Sequence, residues 1–99
     1  MENNHYIPKV ARIINIKNEV EGARPIKTFR TQFLNGDGFA HGCGQSAMLS
    51  VLGKGESMIS ISSSPIEAEY LQFSVLKTGR VTSALHDMKV GEMIGIRGP

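Results

Sequence analysis

The chain has a single cysteine, no tryptophan and almost no charge imbalance. With Cys43 alone, neither an intramolecular disulfide nor a four-thiolate iron–sulfur site can be built from these residues. Lys and Arg total 11 against 9 acidic residues, giving a formal net charge of +2 with no basic run to track a phosphate backbone. A nucleic-acid-binding barrel also needs aromatic platforms, and the only aromatics are Tyr6, Phe29, Phe33, Phe39, Tyr70 and Phe73. No apolar run is long enough to span a bilayer, and Met1-Glu2-Asn3-Asn4-His5 lacks the regions of a signal peptide, so the expected setting is cytoplasmic. His5, His41 and His86 have no carboxylate or cysteine at ligand spacing, which argues against a metal site. His41 and Cys43 lack an orienting partner for nucleophilic catalysis, and Cys43 reads as a small loop or buried thiol.

What remains is an ordinary globular composition, 40% hydrophobic over 99 residues, enough for one domain and one core. Ile7 to Val20 reads as an opening strand, followed by a turn through Gly22 and Pro25. Ile26 to Leu34 alternates, with Phe29, Thr31 and Phe33 on one face. Asn35-Gly36 is turn chemistry leading into a loop, and Ala47 to Leu52 is the next strand. Gly53-Lys54-Gly55 turns the chain into a serine-rich strand, and Glu69 to Lys77 alternates again. A helix is expected at about residues 82–89, with Thr82 as N-cap and Gly91 as its stop, followed by a strand over Met93 to Arg97. Six strands and one short helix predict an all-β fold, a six-stranded antiparallel Greek-key β-barrel.

Two segments stand out. Met58-Ile59-Ser60-Ile61-Ser62-Ser63-Ser64-Pro65 places small hydroxyl side chains on a strand that must stop at proline, so a flat ligand could approach its backbone. Gly79-Arg80-Val81-Thr82-Ser83-Ala84-Leu85 is a glycine turn entering a helix, whose first N–H groups and positive dipole end suit a pyrophosphate. Together they suggest a dinucleotide on a barrel. The plainer readings are a barrel-rim strand with hydroxyls and a bare capped helix, and for Ser74-Val75-Leu76-Lys77 an ordinary core strand.

In order, these segments, with Gly44-Gln45, Met48-Leu49 and Gly91-Glu92 leading to Gly95-Ile96-Arg97-Gly98-Pro99, resemble the FAD-binding domain of the ferredoxin–NADP⁺ reductase superfamily. The similarity covers about residues 7–99 and is greatest to the electron-transfer subunits of hydrogenases, anaerobic sulfite reductases and dihydroorotate dehydrogenases. It implies one FAD-binding barrel domain over residues 1–99, with residues 1–6 a loose tail and an NAD(P)-binding domain beyond residue 99. It implies a module that passes electrons between NAD(P)H and an iron–sulfur partner and is not active alone; a flavin-free barrel serving assembly or docking is the alternative.

The resemblance also assigns residues. The family's Arg-x-Tyr-Ser pattern falls on Ser57, Ile59 and Ser60, so only the serine, expected near the flavin's reactive edge, is kept, and Ile59 would lie against the ring. Ile61 and Ser62 continue that strand, and the backbone of Ser74, Val75, Leu76 and Lys77 would run along the ring and ribityl chain. In the Gly79 turn, the N–H groups of Val81, Thr82 and Ser83 and the Thr82 hydroxyl would hold the pyrophosphate, with Arg80 or Lys77 replacing the missing arginine's charge. Cys43 stands where relatives have proline, and Ser46 where they have an aromatic residue.

Overall fold

A computed structural model describes residues 9–34, 45–64 and 70–97. Expectations for the N-terminal tail, the Asn35-Gly36 turn, His41, Cys43, Gly44, Pro65 and the Gly98-Pro99 end lie outside the described residues. The alternating runs become six strands: β1 (Lys9–Val20), β2 (Ile26–Phe33), β3 (Ser46–Val51), β4 (Gly55–Ser60), β5 (Leu71–Leu76) and β6 (Met93–Arg97). The helix α1 (Arg80–His86) lies between the last two.

Every strand pairing is antiparallel, in the order β4-β3-β6-β1-β2-β5. Two hairpins, β1–β2 and β3–β4, are separated by β6, which returns between β3 and β1 as a Greek key requires. Closure differs from a continuous barrel: among the described residues no ladder joins the edge strands β4 and β5, and Ile61, just past β4, forms an isolated bridge with Phe73. Away from that bridge the two edges part, and α1 packs across β3, β4 and β5 at the open end.

The core collects the inward positions. Phe29, Phe73, Ile13, Leu49, Leu85, Ile96 and Val75 are fully buried, and each such side chain contributes about 1.5–3 kcal/mol by leaving water. In β1 the buried residues Ala11 and Ile13 are odd-numbered, whereas Ile16, packed against the same core, is even. That change of parity needs one extra residue, and the β1–β2 register shifts between Ile13 and Asn15. Ile14 absorbs the bulge and stays exposed.

The helix starts two residues upstream of the expected 82–89 and ends three residues short of it. It begins at Arg80, with Gly79 as N-cap in an extended conformation (φ −161°), because Thr82 is not the cap but the third helical residue. Its hydroxyl reaches back to accept the Gly79 N–H at 2.8 Å, half of a capping box. Nor does Gly91 end the helix. The last turn tightens at His86, with Asp87 N–H on Ala84 O at 3.2 Å and Met88 N–H on Leu85 O at 3.0 Å. Gly91, at φ +100°, instead turns the chain into β6 and donates to Ile13 O at 2.8 Å.

Candidate functional site

The seam between the two sheet edges brings the singled-out segments together. Ser62 N–H donates to Gln72 O at 2.7 Å, and Gln72 N–H donates to the Ser63 hydroxyl at 3.1 Å, so even-numbered positions of β5 turn their backbone groups toward the seam. Lys77 N–H, two ladder steps past Val75, donates to Pro25 O at 3.0 Å on the opposite side, which fixes the same alternation. Beyond the bridge, Leu76 therefore directs its N–H and C=O into the gap between β5 and β4.

Side chains alternate the other way. Ser60 and Ser62 lie exposed on the outer face beside Met58, and Ser74 is exposed on β5, within 3.0 Å of the Thr28 hydroxyl, which in turn donates to Glu19 at 2.9 Å. Ile59, expected against a flavin ring, is instead a core residue with 8% exposure, and Ile61 is buried at 6%. Period-2 geometry forces this: with Ser60 outward, both neighbours point in. Ile59, Ile61 and Val75 can offer a ligand only their backbone, whereas Leu76 is half-buried and Lys77 exposed.

At the other end of the seam the Lys77–Gly79 segment enters α1. The β3–β4 hairpin turns here through Gly53 (φ +79°) and Gly55 (φ +110°), conformations that only glycine adopts without strain. A Cβ placed at Gly55 would lie 3.6 Å from Val81 Cγ2, so the helix start rests on the hairpin. The exposed Arg80 guanidinium makes a long 3.5 Å contact with Gly53 O.

The turn itself is closed by Thr82. Its Oγ1 accepts from Thr78 N–H and Gly79 N–H, both at 2.8 Å, and lies 3.2 Å from Gly79 O, to which it donates. One hydrogen and two lone pairs are thereby used, so the hydroxyl expected to meet a pyrophosphate is already committed within the turn. Ser83 N–H is also taken, by Gly79 O at 2.8 Å. The first-turn donors without an intrahelical partner are thus those of Arg80, Val81 and Thr82, one residue upstream of the expected set. No acidic side chain sits in this turn to neutralise it. In front of Gly79 there is open space, since a Cβ there would meet nothing within 4 Å.

Sequence reasoning missed the supports behind this site. Thr28 and Glu19 back Ser74, and His86 sits buried under β5 with Nε2 2.7 Å from Val75 O. Arg97 grips Glu56 through two hydrogen bonds, at 2.8 and 3.0 Å, and holds that carboxylate below its ordinary pKa. These pairs join residues remote in sequence and leave no local signal, apart from the parity of their strands. Among the described residues no cluster of three or more His, Cys, Asp or Glu could hold a metal ion, and no helix is long and apolar enough to cross a membrane.

No protein-family profile matches the chain. It is 36% identical to the sulfhydrogenase 2 gamma subunit of Pyrococcus furiosus over 97% of its own length and 33% of the relative's. It is 34% identical to a Methanocaldococcus jannaschii protein described as the electron transfer subunit of a dihydroorotate dehydrogenase B (NAD(+)), over 88% of this chain and 30% of that one. The chain thus spans about a third of the length of these relatives. Among solved structures it resembles the ferredoxin–NADP⁺ reductase of Plasmodium falciparum, with a TM-score of 0.77 at 19% identity over 92% of this chain and 38% of that one. A variant of that reductase with 2'P-AMP gives 0.79 at 19% identity, over 96% and 39%. The archaeal relatives show homology along most of this chain, and the reductase structures show that it has the fold of part of that enzyme, which matches the resemblance drawn from the sequence.

Proposed function

We propose that the chain binds FAD non-covalently, as the flavin module of an electron-transfer subunit that passes electrons between NAD(P)H and an iron–sulfur partner in the cytoplasm. The observation that carries this reading is the Gly79 turn: unpaired first-turn N–H groups, no acid to neutralise them, Arg80 at the first helical position and open space in front of the glycine. A cation at a helix N-terminus is locally unfavourable, and a bound anion reverses the sign of that term. The residues present fit the group.

The antiparallel seam supplies the rest of the length. From Gly55, beside the helix start, to Ser60 the strand rises roughly 17 Å at ~3.3 Å per residue, and Leu76 and Lys77 run alongside between the bridge and the turn. In this reading Arg80, Val81 and Thr82 hold the pyrophosphate by their N–H groups. Ser74 to Lys77 lie along the ribityl chain, and Ser60, Ile61 and Ser62 face the ring, the serines with side chains and Ile61 with its backbone. When bound, FAD supplies a carrier that takes a hydride as two electrons and gives them up singly. The NAD(P)H site and the iron–sulfur cluster belong to the remaining two-thirds of a relative-sized protein or to a partner subunit.

A second reading, a flavin-free barrel used for docking, draws on Ser57 in place of an arginine and on the buried Ile59. Titration with FAD and, separately, FMN, followed by flavin fluorescence and amide shifts, separates the two. Saturable FAD binding with shifts at Ser60–Ser62 and Gly79–Thr82 supports the flavin module. Absence of binding, both here and in a chain extended through the next domain, leaves the docking barrel.

A further inference from the structure

His86 is buried to 5% exposure, and the FAD reading gives it no contact with the cofactor. Its Nε2 lies 2.7 Å from Val75 O. A carbonyl only accepts, so Nε2 carries the hydrogen. The ring meets Phe29 edge-on, with centroids 6.1 Å apart and planes at 64°. Its own carbonyl accepts from Lys27 Nζ at 2.8 Å, a cation placed where the helix dipole favours one. Two strands therefore converge on one helical residue: β2 through Lys27 and Phe29, β5 through Val75.

A helix of seven residues is too short to hold its own direction, so tertiary anchors decide its orientation. Leu85 anchors it by apolar burial, which is non-directional and tolerates rotation. The His86 hydrogen bond is directional. β5 enters α1 through Lys77–Gly79, and His86 ties the far end of the same helix back to β5 at Val75, so strand, turn and helix form a closed clamp.

We propose that His86 is a positioning residue for the flavin seam: its bond to Val75 fixes α1 against β5 and so sets the geometry of the Lys77–Gly79 turn. The functional consequence rests on the FAD reading; the clamp itself is measurable without flavin. His86→Phe keeps the ring volume and the contact with Phe29 but removes the donor, whereas His86→Gln keeps a donor. Two readouts are needed on the 99-residue chain: amide hydrogen exchange over residues 78–86 without flavin, and FAD affinity.

In His86→Phe, exchange across α1 speeds up by about tenfold or more while the Phe29 and Phe73 amides are unchanged, and FAD affinity falls by about tenfold. His86→Gln restores both to within about threefold. Unchanged exchange in His86→Phe overturns the clamp. Faster exchange with unchanged FAD affinity, or a glutamine variant as impaired as the phenylalanine one, reduces His86 to a packing residue and also overturns the proposal. If the natural chain binds no FAD even when extended through the next domain, the functional reading falls separately, and exchange alone decides the clamp.

Discussion

The Thr82 hydroxyl lies 2.8 Å from Gly79 N, the bond that closes the turn at the head of α1. The same oxygen takes Thr78 N–H, also at 2.8 Å, so two backbone donors depend on one buried side chain. Thr82→Val keeps the shape and strands both donors. A loss of about 1–2 kcal/mol is expected in denaturant unfolding, with Thr82→Ser within a few tenths of the natural chain.

Gly79→Val separates folding from binding. The backbone at Gly79 is extended and a Cβ there meets nothing within 4 Å, so the expected cost is that of a poorer N-cap, about 1 kcal/mol, which leaves the chain folded. The branched side chain fills the space in front of the turn, and FAD affinity should fall by more than about tenfold, read by flavin fluorescence. Unaltered affinity would show that the pyrophosphate lies elsewhere.

Arg80→Glu gives effects of opposite sign. A carboxylate at the first helical position complements the dipole, raising stability by about 0.3–1 kcal/mol, while it repels a phosphate at the same N–H groups. Thermal melting should show equal or higher stability, and titration should show FAD affinity lowered in a salt-dependent way. Loss of both together would indicate that Arg80 acts through packing.

Acid should weaken the chain through Glu56. Its pKa is lowered by the hydrogen bonds from Arg97 and by the nearby guanidinium charge, against an opposing effect of burial. A lowered folded-state pKa means that this contribution is complete above the ordinary glutamate pKa and is lost as pH falls through the lower, folded value. Melting curves of Glu56→Gln should lie below the natural chain at neutral pH and converge with it at acid pH. Curves offset by the same amount at every pH would dismiss the carboxylate.

Phe73 is fully buried and pairs with Ile61 in an isolated bridge between the sheet edges. Phe73→Ala should cost about 3–5 kcal/mol and unfold much of the population. Leu52, fully exposed in the β3–β4 turn, is the control, and Leu52→Ser should change stability by no more than about 0.5 kcal/mol in the same melts.

The alternation of Phe29, Thr31 and Phe33 and of Leu71, Phe73 and Val75, together with the glycine turns between runs, determined the six strands and the all-β class, because a strand's side-chain period is local. Met93–Arg97 was legible to the residue. The Gly79 turn was legible as a glycine turn entering a helix. The parity change between Ile13 and Ile16 also held the β1 bulge in plain view, although alternation was read only as a strand. What the sequence could not decide was which way shared atoms would be used. Thr82 looks the same as a cap, a ligand donor or a turn-closing acceptor until the backbone at Thr78 and Gly79 is in place. Ile59 looks available to a flat ring until Ser60 is set outward and period 2 drives its neighbours into the core. The partners His86–Val75, Lys27–His86, Thr28–Ser74 and Glu56–Arg97 join strands and helix at sequence separations that no local pattern encodes. Those contacts were decided by the tertiary structure, since strand order and register alone bring such residues within hydrogen-bonding distance.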